Sequence, residues 1–292
     1  MHHYLVRFFI RLAVNIFRSF FSKRITIALN NIKQSNITSS CEGREKSDIQ
    51  IIYESLDHLA LTVYRSIERL FTRKRIFDDL KQEDIYAYLN RKKVHLKTEI
   101  NLETLIHEKR GMIFVSAHIG AWEDLIDLGQ VLNKPTYLLS KRMKIKWLQS
   151  LWEASRTRNI TRLDQGFRAK KIIDALNEGS IIADVLDQHC PSDHSILCNF
   201  LGRQAATSPD LSRFALITNA LIIPVFLVRT RVGYHQLYIS DIIDPTETVK
   251  RGNSKEEMVK VITQQCCDEI EKVIRLHPEQ WMWIHRRWKV DD

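Results

Sequence analysis

From residue 112 onward the chain repeats one pattern, a short apolar run followed by a turn and a segment of helical length. MIFVSA (112–117), PTYLLS (135–140), SIIADVL (180–186) and ALIIPVFLV (220–228) read as buried strands, and YHQLYISDI (234–242) alternates like a strand nearer an edge. Between them lie DLIDLGQVL, IKWLQSLWEASR, RAKKIIDALNEG and PDLSRFALITN, each long enough for a helix. Strands that alternate with helices place neighbouring strands parallel, so the expected fold class is α/β, a largely parallel mixed sheet flanked by helices. Helical periodicity in SKRITIALNNIKQ, IQIIYESLDHLALTVYRSIERLF and KQEDIYAYLNRKK adds an N-terminal helical region, with residues 40 to 48 as a polar break; IHEKRG ends in a turn glycine.

No Pro/Gly/Ser-rich linker interrupts the 292 residues, so residues 23–292 are expected to form a single domain. The formal net charge of +9 predicts attraction to polyanions, whether nucleic acid, anionic lipid or a phosphorylated substrate. The five cysteines Cys41, Cys190, Cys198, Cys266 and Cys267 form no CxxC spacing and an odd count, which supports neither a disulfide framework nor a thiolate zinc site. Reduced thiols are expected.

Residues 1–22 have a different character. In YLVRFFIRLAVNIFRSFF, Arg7, Arg11 and Arg18 interrupt every apolar run, whereas a spanning helix needs about 20 predominantly apolar residues. On a helix, Leu5, Phe8, Phe9, Leu12, Ala13, Ile16, Phe17 and Phe20 share one face opposite the arginines. Six Lys/Arg and no acid precede Glu42. The pattern predicts a helix lying in an anionic membrane interface; the competing reading packs the aromatic face on the chain's own domain.

Chemistry in open α/β sheets gathers at the carboxyl ends of strands, which brings forward His118 after MIFVSA and Asp187 after SIIADVL. A histidine near neutral pH can deprotonate an alcohol, and a carboxylate accepting its other N–H fixes the tautomer. In HIGAWE, Gly120 permits a turn able to bring Glu123 back toward His118, a spacing compatible with a His118/Glu123 pair but not diagnostic of one; the competing reading is two polar residues that follow a strand by accident. No HExxH accompanies it and no G-x-S-x-G occurs, so neither a zinc protease nor a serine hydrolase is indicated. Three other segments carry polar chemistry. SRTRN holds Arg156 and Arg158 at a helix end, suited to an anionic phosphate. VLDQHCPSDHSILCNFLGRQAAT reads as a long polar loop with Asp187, Gln188 and His189 directly after a strand. HPEQWMWIHRRWK (277–289) interleaves aromatics and cations in a way that suits a membrane interface or a nucleic-acid surface.

Together these segments resemble the lysophospholipid acyltransferase-like family of lipid A late acyltransferases, the lauroyl and myristoyl transferases. The resemblance runs from SKRITIALNNI to HRRWK. HIGAWE is similar to the family's H-x4-D/E signature, LDQHCPSDHSILCNFLG to its D-Q/H-D block, AATSPDLSRFALITNALIIPVF to the stretch that follows, and HPEQWMWIHRRWK to its closing run. The resemblance implies a glycerol-3-phosphate acyltransferase-like fold. It also implies transfer of a fatty acyl chain from acyl carrier protein to a hydroxyl of a lipid A precursor or related glycolipid, at the cytoplasmic face of the inner membrane. In this carry-over His118 is the general base, Glu123 its orienting carboxylate, and Arg156 a phosphate- or oxyanion-binding cation. Arg158 stands beside Arg156, and Asp187 matches the first acid of the loop block. No metal, cofactor or nucleic-acid partner is expected. The chain departs from the family at His189, where the second acid is usual, and at Asn199, where proline is usual. Two alternatives stand beside this reading: a thioesterase-like hydrolase in which His118 activates water, and a non-enzymatic basic protein that binds membrane or nucleic acid.

Overall fold

The computed structural model describes residues 22–35, 37, 40–41, 44–72, 84–125, 128–140, 146–154, 160–164, 169–231, 233–249 and 254–289. The expected membrane helix over residues 4–21, and both Arg156 and Arg158, lie outside the described residues.

In chain order, helix α1 (Ser22–Gln34) is followed by a minimal hairpin, β1 (Ser40–Cys41) and β2 (Arg44–Glu45), inside the polar break. Helices α2 (Asp48–Thr72) and α3 (Ile85–Arg91) complete the N-terminal region. Next come β3 (Val94–Lys97), α4 (Leu102–His107), β4 (Met112–Ser116), α5 (Trp122–Leu125) and α6 (Leu128–Val131), the last two overlapping the stretch DLIDLGQVL that reads as helix. Then β5 (Thr136–Ser140), α7 (Lys146–Ala154), α8 (Ala169–Asn177) and β7 (Ile181–Val185) appear as expected, and a strand that the sequence reading did not include, β6 (Ile160–Asp164), lies between α7 and α8. After β7 come β8 (Ile196–Phe200), β9 (Arg203–Thr207), α9 (Asp210–Thr218), β10 (Leu221–Arg231), β11 (Tyr234–Ile239), α10 (Pro245–Val249) and α11 (Lys255–Leu276).

Among the described residues, seven strands make one sheet in the order β3-β11-β10-β4-β7-β5-β6. Every neighbouring pair is parallel except β10 with β11, which gives the largely parallel mixed sheet the alternation predicts. Period-2 alternation divides the core between the two faces. Ile113, Val115 and Ala117 join one apolar cluster with α1, α2, α8, α9 and α11, while Met112 and Phe114 join another with α3, α4, α5 and α6. Both faces are thus covered, as a parallel sheet requires. Helix α11 is started by a capping box, in which the Ser254 hydroxyl accepts from the Glu257 N–H and the Glu257 side chain accepts from the Ser254 N–H.

Strand β11 lies nearer an edge, as expected, with the short β3 paired on its outer side. One expectation is corrected. The long polar loop after β7 contains a hairpin, β8 with β9, turned by Leu201 and Gly202, both at positive φ (52° and 79°). Asn199 lies on this hairpin. Its backbone N–H donates to Gln264 Oε1 at 2.8 Å and its carbonyl accepts from Gln264 Nε2 at 2.9 Å, so α11 takes up an N–H that a proline there would lack.

Candidate active site

Strand β4 is buried along its whole length, and the chain leaves it through Ala117 into His118, whose side chain is 17% exposed. Strand β7 lies beside it in parallel, with Ser116 level with Val185. Two residues further on each strand, that register brings His118 level with Asp187. The Leu186 N–H donates to the Ser116 carbonyl at 3.0 Å, which continues the ladder to this point. His118 Nδ1 and Asp187 Oδ1 are 2.8 Å apart. Asp187 Oδ2 accepts two more hydrogen bonds, from the His118 backbone N–H at 2.9 Å and from the Trp281 indole N–H at 2.8 Å.

This arrangement fixes the electrostatics of the pair. Burial works to raise the Asp187 carboxyl, but the charge of His118 and the three donors outweigh it and hold the group down at about 2. Burial works to lower the His118 imidazole, but the Asp187 charge and hydrogen bond, then the charges of Glu123 and Asp184, leave it above its ordinary value. With an ionised Asp187 on Nδ1, the neutral imidazole carries its proton there and turns the lone pair of Nε2 outward. That is the tautomer a general base needs.

The position on Nδ1 that the sequence suggests for Glu123 is held by Asp187. Helix α5 begins at Trp122, and it carries the Glu123 carboxylate to the Trp152 indole of α7, whose N–H lies 3.4 Å from Oε1. Glu123 still acts on His118 through its charge. The buried Arg69 of α2 grips the start of α5, pairing with the Asp124 carboxylate and donating to the Glu123 carbonyl at 3.2 Å.

The 118–121 turn is held from three sides. Gly120 donates to the Gln280 carbonyl at 3.2 Å, Ala121 donates to the Leu227 carbonyl at 2.7 Å, and the Gly120 carbonyl accepts from Arg229 Nη1 at 2.7 Å and Thr62 Oγ1 at 3.2 Å. Gly120 has φ +59°, and a Cβ added there would sit 2.3 Å from the Leu227 carbonyl oxygen, which is backbone of β10. Gly120→Ala is therefore expected to destabilise the fold by about 3 kcal/mol, the left-handed conformation and the forced backbone shift adding together. Thermal unfolding measures the loss, and an unchanged melting temperature would show that the turn relaxes freely.

The closing segment is a buried brace rather than the membrane or nucleic-acid surface its composition suggests. Trp281 is 1% exposed, while Trp283 and Arg287 are fully buried. Trp281 and Trp283 meet edge to face with centroids 4.6 Å apart. The Gln280 amide exchanges two hydrogen bonds with the backbone of Arg229, at 3.0 and 2.8 Å, and Met282 N–H donates to the His118 carbonyl at 3.1 Å. Arg287 donates to the carbonyls of Gln188 (2.7 Å) and Ala206 (2.8 Å) and to Thr207 Oγ1 (2.7 Å), and its guanidinium lies 4.8 Å over the Phe200 ring. Asn31 of α1 ties down the far side through the carbonyls of Trp283 and His285, both at 2.8 Å. The run QWMWIHRR thus fastens the loop that carries Asp187 to the turn that carries His118.

Sequence reasoning missed Trp281 and Arg287 as residues of this site, and the signal for Trp281 is available only once β4 and β7 are known to be neighbours. Among the described residues no three His, Cys, Asp or Glu side chains converge in a way that could hold a metal ion, and no helix is long and apolar enough to cross a membrane.

The lipid A biosynthesis lauroyltransferase of Escherichia coli (strain K12) is 28% identical over 196 residues, covering 62% of this chain and 57% of that protein. The chain thus spans less than two thirds of the length of the curated relative it matches. The crystal structure of the 1-acyl-sn-glycerophosphate acyltransferase PlsC from Thermotoga maritima aligns over 75% of this chain and 97% of that one, at 16% identity and a TM-score of 0.38. The family model described as bacterial lipid A biosynthesis acyltransferase matches residues 2–290, and the chain belongs to that family.

Proposed function

We propose that the protein transfers a fatty acyl chain from an acyl carrier protein thioester to a hydroxyl of a lipid A precursor or related glycolipid, with His118 as general base and Asp187 as its orienting carboxylate. The observation that carries this reading is the 2.8 Å contact between His118 Nδ1 and Asp187 at the carboxyl ends of two adjacent parallel strands. Nε2 takes the hydroxyl proton, the oxygen attacks the thioester carbonyl, and the imidazolium returns the proton to the departing thiolate. Asp187 stabilises the imidazolium meanwhile, and the Glu123 charge adds to that effect. Arg156 and Arg158 are proposed to meet the acceptor phosphate or the developing oxyanion. Residues 4–21 are proposed to hold the protein on an anionic, cytoplasm-facing membrane surface, with no metal or nucleic acid taking part.

Mass spectrometry of lipid A from cells with and without the protein tests the reaction. The expected result is a species heavier by one fatty acyl ester, present only with the active protein, and the mass difference gives the chain length. Identical lipid A in the two strains, with acyl-thioester hydrolysis by the purified protein that ignores added acceptor, would replace transfer with the thioesterase reading.

A further inference from the structure

The nitrogen of His118 that faces outward already has a neighbour. Gln188 Nε2 lies 3.3 Å from His118 Nε2. Because Asp187 keeps the imidazole proton on Nδ1, Nε2 is an acceptor and the Gln188 amide must be the donor of this contact. The main chain of Gln188 is held by the fully buried Arg287, which donates to its carbonyl at 2.7 Å, whereas its side chain is exposed. A fixed backbone beneath an exposed amide keeps the N–H group beside Nε2 and lets it turn aside by a rotamer change when another molecule arrives.

We propose that Gln188 is a catalytic residue, whose amide N–H donates to the acceptor oxygen while His118 Nε2 removes the proton from that oxygen. The proposal rests on the reading of His118 as the base. In the step, the O–H bond breaks, the proton passes to Nε2, and the oxygen's electron pair forms the new bond to the thioester carbon. Collapse of the tetrahedral adduct breaks the C–S bond, and the thiolate takes the proton back from Nε2. The acceptor oxygen carries most negative charge while it is between proton and carbon, so a donor aimed at it favours the transition state over the bound alcohol. An amide suits this position because it donates without competing for the proton. A carboxylate there would hold the proton on Nε2. The side chains whose charge or titration bears on His118 are Asp187 and Asp184 from β7 and the loop after it, Glu123 from α5 and His285 from the closing segment. Burial pushes Asp184 up to about 7 and His285 down to about 4.

The test compares Gln188→Leu, Gln188→Glu and His118→Ala with acyl carrier protein thioester and lipid acceptor, each checked for folding by circular dichroism. Gln188→Leu is expected to lower kcat by about 10²-fold with little change in KM for the donor, the typical cost of one transition-state donor. Gln188→Glu is expected to move the rising limb of the pH–rate profile to higher pH, since a second carboxylate beside the imidazole retains its proton. Wild-type kcat in Gln188→Leu alongside an inactive His118→Ala would overturn the role of Gln188 and leave the base in place. A change confined to KM would overturn it equally, and a fully active His118→Ala would remove the base and this proposal together.

Discussion

Replacing His118 with alanine is expected to reduce acyl transfer by about 10²- to 10⁴-fold while the fold persists. The imidazole is the group whose lone pair points out of the site in the tautomer set by Asp187, and Gln188 beside it has no basic atom to take over. The fold survives because Asp187 keeps two of its three donors, the backbone N–H of residue 118 and the Trp281 indole. The pair also links activity to stability. Asp187 has a folded value below its ordinary 3.8, so its stabilisation is present above that pH and is lost as the pH falls toward about 2. His118 has a folded value above its ordinary 6.5, so its stabilisation is present below that pH and is lost as the pH rises through the folded value. Catalysis needs the neutral imidazole, so the rate should rise with pH above about 6.5 as this stabilisation fades. Transfer of labelled acyl chain across a pH series measures both, and a rate in His118→Ala within a few-fold of wild type would remove the imidazole from the reaction.

The core strands were legible because burial on both faces leaves an unbroken apolar run. MIFVSA, PTYLLS, SIIADVL and ALIIPVFLV coincide with β4, β5, β7 and β10 to within a few residues. Strands β3 and β6 were not legible, since VHLK and ITRLD each supply two apolar side chains. The β8–β9 turn lacks an Asn-Gly or Asp-Gly signature. Leu201 takes the left-handed conformation there because its side chain is fully buried in the larger core cluster, a gain that local propensity cannot register. The closing run shows the same limit in a different form. Interleaved tryptophans and arginines read alike whether they face a bilayer or line a core, and only the contacts of Asn31 and Phe200 decide between them. In the site, His118 and Asp187 each followed from a place after a strand. Their pairing did not, because a five-residue spacing advertises Glu123, whereas Asp187 lies 69 residues away and becomes level with His118 only when β7 enters the sheet next to β4.

Asp187→Asn is expected to be nearly as damaging as His118→Ala, roughly 10³-fold or more, and far more damaging than Glu123→Gln. The reason lies in the two donors that share Oδ2. The His118 backbone N–H and the Trp281 indole N–H both point at that atom and cannot accept, so an asparagine must place its carbonyl oxygen there. Its NH2 group then faces Nδ1. An amide donor at Nδ1 selects the tautomer with the proton on Nε2, which leaves no lone pair for the hydroxyl proton. The substitution also removes the largest influence that raises the His118 value, so burial dominates and the residual rate should show its rising limb at lower pH than wild type. Glu123→Gln removes only a more distant charge. It should shift the limb in the same direction by less and leave most of the rate. Because Asp187 acts through His118, the double variant His118→Ala with Asp187→Asn should be little slower than His118→Ala alone. The measurement is kcat against pH for the three single variants and the double. A Glu123→Gln enzyme slower than Asp187→Asn would return the orienting role to the carboxylate five residues from the base.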